Sequence, residues 1–269
     1  MSATIFIHEF RIHLKSVLIW SFSVASLVLV FFAFFSAFAA DAALVNEMMA
    51  KFPPEMRAAF ALDRMDFSTV LGYFSLLFLF AQLCLAIQAS NFGFGLVSIE
   101  ESELTADFLL TKPVSRAQVL TSKLLAATAC LVLTNLTVWV SSIAAIELFR
   151  EARDYDLSTL LLLLASLLLF QLFFMAVGLV ISLLVKRIRS VTPYGLGLGF
   201  GMYVLSAFSG MLGDVKLELI TPFKHFDAAK IVVDGALDTP LVLLNVAVTL
   251  VAIAASYWLY IRRDIKAVS

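Results

Sequence analysis

Six stretches of this 269-residue chain run for 21 to 30 residues without an Asp, Glu, Lys, Arg or His: 17–40, 68–97, 124–146, 158–185, 193–213 and 241–261. About 20 apolar residues in a helix cross the ~30 Å hydrocarbon layer of a bilayer, and lipid offers nothing to a bare N–H or C=O. Runs of this length therefore point to helices through a membrane. Composition agrees: the chain is 62% hydrophobic and 14% charged, whereas apolar residues make up about half of a soluble domain. The expected fold is an all-α integral membrane protein, one domain over 1–269 with six transmembrane helices.

The polar connections set the orientation. If the N-terminus, 97–123, the 186–190 turn and the C-terminus share a side, that side holds 11 Lys and Arg against 6 acids, and the other holds 8 against 14. Basic residues stay in the cytoplasm, so both termini are expected there, with the chain in the cell membrane. Before the first span, Phe6, Phe10, Leu14 and Val17 recur at helical spacing while Glu9, Arg11, His13 and Lys15 point elsewhere. Residues 1–16 thus read as an N-terminal amphipathic interfacial helix. Ala37-Phe38-Ala39 imitates a signal-peptidase site, but the uncharged run exceeds the ~7–15 residues of a signal core, so an uncleaved anchor is expected.

The substantial polar interruption on the basic side is 98–123. Ser98 and Glu101 have capping-box spacing, so an acidic helix carrying Glu100, Glu101, Glu103 and Asp107 is expected to start there. Pro113 forces Lys112 out of the helical region. Ser115 and Gln118 form a second box, and Val114 and Val119 take the positions of a hydrophobic staple. Two helices are expected to meet at 111–114.

Glu100, Glu101, Thr105, Leu109, Leu110, Thr111, Pro113, Ser115, Arg116 and Lys123, in this order, resemble the first cytoplasmic segment of ABC transporter permeases of type-2 exporter architecture. Glu9-Phe10-Arg11 is similar to the Glu-x-Arg of that family's leading elbow helix. The resemblance implies that 98–123 is a cytoplasmic helix-turn-helix coupling element between spans two and three. Its ATPase-coupling residues would be Glu100, Glu101, Thr105, Pro113, Ser115, Arg116 and Lys123. It also implies a separate cytoplasmic ABC ATPase subunit carrying ATP and magnesium, no cofactor on this chain, and a second permease chain, in a homodimer or heterodimer, around one path.

Other function classes lack their residues. There is no Walker A motif, so the chain is expected to be a non-catalytic subunit. Ion-coupled transporters keep ionisable groups at membrane depth, and these runs hold none. His8 and His13 are five apart and sit on different helix faces. Met48, Met49, Met56 and Met65 have the softness for Cu(I) but no His or Cys beside them, and read as fillers of apolar contacts, so no metal is expected. Cys84 and Cys130 have no metal or redox spacing, and no basic stripe suggests nucleic acid. Asn91, Asn135, Gln171 and Asn245 could line a translocation path or bond helix to helix. Gly195 with Gly199, and Gly197 with Gly201, make two overlapping small-xxx-small pairs for helix packing. The alternative from another class is a non-transporting membrane anchor or regulatory component.

Overall fold

The computed structural model describes residues 2–59, 66–102, 114–185, 188–212 and 216–262, and no strand occurs among them. Six long apolar helices are capable of crossing a membrane. The first span is α1 (Ala3–Ala33) continued by α2 (Phe35–Ala40), and the second is α5 (Val70–Ser102). Between them lie the short helices α3 (Ala42–Ala50) and α4 (Pro54–Ala59). The remaining spans are α6 (Arg116–Phe149), α7 (Leu157–Leu184), α8 (Val191–Leu212) and α11 (Thr239–Arg262). Between α8 and α11 come a 3-10 turn (Lys216–Leu219), α9 (Pro222–His225) and α10 (Ala228–Asp234).

Local chemistry explains several ends. Asp156 starts α7 by accepting from the backbone N–H groups of Ser158 and Thr159 and from both hydroxyls. Those donors hold its carboxyl down at about 2. Asp227 caps α10 in the same way, and Gly235 closes it at φ 61, a left-handed position that costs glycine nothing. At the break, Phe31 O accepts both the Phe34 N–H at 3.1 Å and the Tyr73 hydroxyl at 2.7 Å.

Helices α5 and α7 are the central pair. Of the apolar window of each, 61% is buried, against 17% for α8 and 22% for α11, so these last two form the periphery. A Cβ built on Gly93 would lie 2.2 Å from Met175 O of α7, which sets the closeness of the central pair. Helix α1 packs along α6, α8 along α5, and α11 along α7. One core cluster gathers Phe32, Phe35, Tyr73, Phe74, Ile146 and Leu160, and a second gathers Phe92, Leu96, Leu120, Phe170, Phe174 and Tyr260.

Two expectations are corrected at the end of the bundle where α1 begins, α5 ends, α6 begins and α11 ends, called here the near end. Residues 1–16 do not form a separate helix: α1 is one rod from Ala3. Its 31 residues make it about 46 Å long, more than the ~30 Å hydrocarbon layer, so its first turns extend past that layer. Its buried stripe is Ile5, Glu9, His13, Val17, Ser21, Val24, Val28 and Phe32, which turns Glu9 and His13 inward instead of to water. Nor does a helix start at Ser98. Helix α5 runs through to Ser102, and the Ser98 hydroxyl donates back to Phe94 O inside it. The Ser-x-x-Glu spacing caps only where the preceding backbone is not already helical.

The segment between α8 and α11 goes deep into the bundle. Phe223, Phe226 and Ile231 are buried, and Phe170 stacks edge-on against both phenylalanines. Gln82 Nε2 donates to Phe226 O at 3.0 Å. Gln82 lies 12 residues into α5, about 18 Å along its axis. The α9–α10 segment is therefore re-entrant, and a core glutamine satisfies the carbonyl freed at its break.

Candidate functional site at the near end

Residues 115–123, the first turns of α6, draw four helix ends together. Ser115 sits in extended backbone at φ −75 and ψ 150 and caps α6. Its hydroxyl accepts from Gln118 N at 3.2 Å, and Gln118 Oε1 accepts from Ser115 N at 3.1 Å. The expected capping box is thus present. Arg116 follows at the first helical position, and its Nη1 donates to Ile261 O at 3.2 Å and Tyr260 O at 3.4 Å. These are carbonyls of the last turn of α11, where a helix has unpaired acceptors and partial negative charge. Thr121 Oγ1 meets the Tyr257 hydroxyl at 2.7 Å and ties the same two helices again.

Lys123 lies about two turns deeper than Arg116 and is not a surface residue. Its side chain is 2% exposed, with Nζ 3.0 Å from Glu9 Oε1 of α1 and 2.8 Å from Leu96 O near the end of α5. His13 Nε2 stands 3.8 Å from the other Glu9 oxygen, and its ring lies 4.9 Å from that of Phe92. Above them Ser2 N donates to Ser122 Oγ at 2.8 Å. Removing one partner of a buried ion pair costs about 3–5 kcal/mol, because the other charge stays buried without compensation. Lys123 therefore holds α1, α5 and α6 in one arrangement.

The remaining coupling candidates are not described at side-chain level. Glu100 and Glu101 lie in the last turn of α5 by their backbone, while Thr105 and Pro113, with the expected turn, lie outside the described residues.

The amides fall into three groups. Asn135 Nδ2 donates to Gln171 Oε1 and to Leu131 O, Gln171 Nε2 donates to Gln88 Oε1 at 3.2 Å, and Gln88 Nε2 donates to Thr134 Oγ1 at 2.9 Å. This chain of bonds joins α5, α6 and α7 inside the subunit. Asn245 is fully buried and meets His225 Nδ1 at 3.4 Å, which joins α11 to α9. Asn91 Oδ1 finds no hydrogen-bond partner among the described residues and occupies the space a Cβ on Gly195 would need. The glycines likewise divide. Cβ atoms on Gly195 and Gly199 would strike α5 at Asn91 and Ile87, whereas Gly197 and Gly201 have nothing within 4 Å.

Glu9 and His13 were missed as site residues. The signal was present: the four-residue step from Ser21 to Val17 extends backward through both. Among the described residues no group of three or more His, Cys, Asp or Glu could hold a metal.

No curated protein matches the chain. The model of the family described as ABC-2 family transporter protein matches residues 3–265, nearly the whole length, and the chain therefore belongs to that family, as an ABC type-2 permease.

Proposed function

We propose that this chain is the membrane subunit of an ATP-driven exporter, that segment 98–123 docks a separate cytoplasmic ATPase, and that two permease chains enclose the path. The family match over residues 3–265 carries the reading. The near-end geometry supports it. A segment that only connected two spans would not need its downstream helix capped and tied by Arg116, Thr121 and Lys123 to α11, α1 and α5. On this reading both termini are cytoplasmic, ATP and magnesium belong to the partner, and this chain performs no covalent chemistry. Glu100 and Glu101 offer carboxylates to the partner. Lys123 acts from inside by fixing geometry, and Arg116 and Ser115 hold the turn.

Charge-assisted contacts of this kind contribute about 1.5–3 kcal/mol each where desolvated. The pair Glu100→Gln with Glu101→Gln is expected to weaken docking about ten- to a thousandfold, with expression intact. The readouts are co-purified ATPase per permease and ATP turnover in reconstituted vesicles. Wild-type values for both would leave the segment a solvated connector and favour a non-transporting component.

A further inference from the structure

We infer that Glu9 is a positioning residue for coupling: through Lys123 it fastens the N-terminal helix to both ends of segment 98–123, so that a movement of the segment is delivered to α1 as well as to α5 and α6. The inference rests on the reading above that this segment receives the ATPase.

The geometry is that of a clasp. Leu96 lies just before the segment and Lys123 closes it, and the Lys123 ammonium reaches back 2.8 Å to the Leu96 carbonyl. One ammonium thereby sets the separation of the segment's two ends. The same ammonium also meets a group on neither of those helices: Glu9 Oε1 of α1, at 3.0 Å. Exposed ion pairs exchange partners with water at little cost, whereas this pair is 2% and 11% exposed and largely shielded from that exchange. Ser2 N to Ser122 Oγ is a second tie between the start of α1 and α6. From this base α1 runs unbroken to Ala33, where Phe32 enters the aromatic cluster with Phe35, Tyr73 and Phe74. A tilt imposed at Glu9 therefore reaches the opposite core cluster through one continuous helix.

The test uses Glu9→Gln and the double variant Glu9→Leu with Lys123→Met, which removes both charges. In Glu9→Gln, ATPase co-purification is expected to persist while transport per ATP falls roughly 2- to 30-fold, the range commanded by residues within coupling networks. Spin labels at Ile7 and Leu125, both exposed, with Cys84→Ser and Cys130→Ala, are expected to give a narrow distance distribution in the otherwise unaltered protein and a broad one in Glu9→Gln. The double variant is expected to recover the melting temperature but not transport per ATP. Recovery of both would reduce the pair to a structural contact and overturn the inference, as would an unchanged label distribution in Glu9→Gln. A wild-type permease that captures no ATPase would sink the transport reading alone, because the label distances still judge the clasp.

Discussion

Adding one methyl group at Gly93 is the sharpest test of the fold. The Cβ of Gly93→Ala would sit 2.2 Å from Met175 O and 3.0 Å from Leu179 N, while ordinary contact starts at 3.4 Å. Both obstructing atoms are backbone, so no rotamer change relieves the clash. Helices α5 and α7 would have to separate by more than an ångström beside Ala89, Met175 and Leu179, all fully or almost fully buried. Overpacking of this kind costs about 1–3 kcal/mol. For a chain of this size that is a fall of about 2–12 °C in melting temperature. Gly197→Ala is the control, since its Cβ would meet nothing within 4 Å and alanine is the better helix former. Thermal unfolding in detergent, followed by loss of monodisperse protein, measures both. A Gly93→Ala protein melting within about 1 °C of wild type, below the smallest expected fall, would refute the close approach of the central pair.

Three further outcomes follow from the geometry. Gln171→Leu removes the acceptor of Asn135 and the donor to Gln88, so it should cost about 0.5–2 kcal/mol. Pairing it with Asn135→Leu should cost less than the two single losses combined, and strict additivity in a double-mutant cycle would mean that the amides do not act together. A single cysteine at exposed Ser115 should resist an impermeant thiol reagent in intact cells while one at exposed Asp154 reacts; the reverse pattern would invert the orientation. Burial holds His225 below the ordinary histidine value of 6.5 although the Leu219 and Glu218 carbonyls and Asp238 pull it upward. Its folded form is neutral, so the stability it contributes is present above about pH 6.5 and lost as pH falls through the depressed value. The drop in melting temperature between about pH 7.5 and 5.5 should be smaller in His225→Gln, and equal drops would place the titration elsewhere.

The six spans were legible because an uncharged run of 21 residues has few alternatives to a membrane helix. The Ser115 cap was legible because its partner Gln118 is local and Pro113 interrupts any helix before it. Ser98 offered the same local pattern and failed, since nothing upstream stops α5. The alternating glycines were half legible: neighbours two apart lie on opposite helix faces, so Gly195 with Gly199 and Gly197 with Gly201 could never have packed against one helix together. Gly93 carries no pattern in the sequence and is a point of close approach. The Glu9 and Lys123 contact could not be read at all, because it joins residues 114 positions apart in sequence. Charge near a span end is ordinarily solvated, and only tertiary packing turned both groups inward.

The re-entrant segment constrains the order in which the molecule can be built. Between α9 and α10 the backbone leaves helical geometry at Phe226, and its carbonyl is met by the side chain of Gln82. In bare hydrocarbon that carbonyl would cost several kcal/mol. During synthesis the 216–238 stretch therefore has no low-energy resting place among lipids until α5 and α7 have come together to present Gln82 and Phe170. Helix α11 can enter the bilayer on its own hydrophobicity, but its Asn245 reaches His225 only after the loop before it has docked. Biogenesis should thus pass through an intermediate with six inserted helices and an undocked loop between α8 and α11. A protease acting from that side would cut this intermediate and spare the finished protein, and Gln82→Leu would lengthen its lifetime.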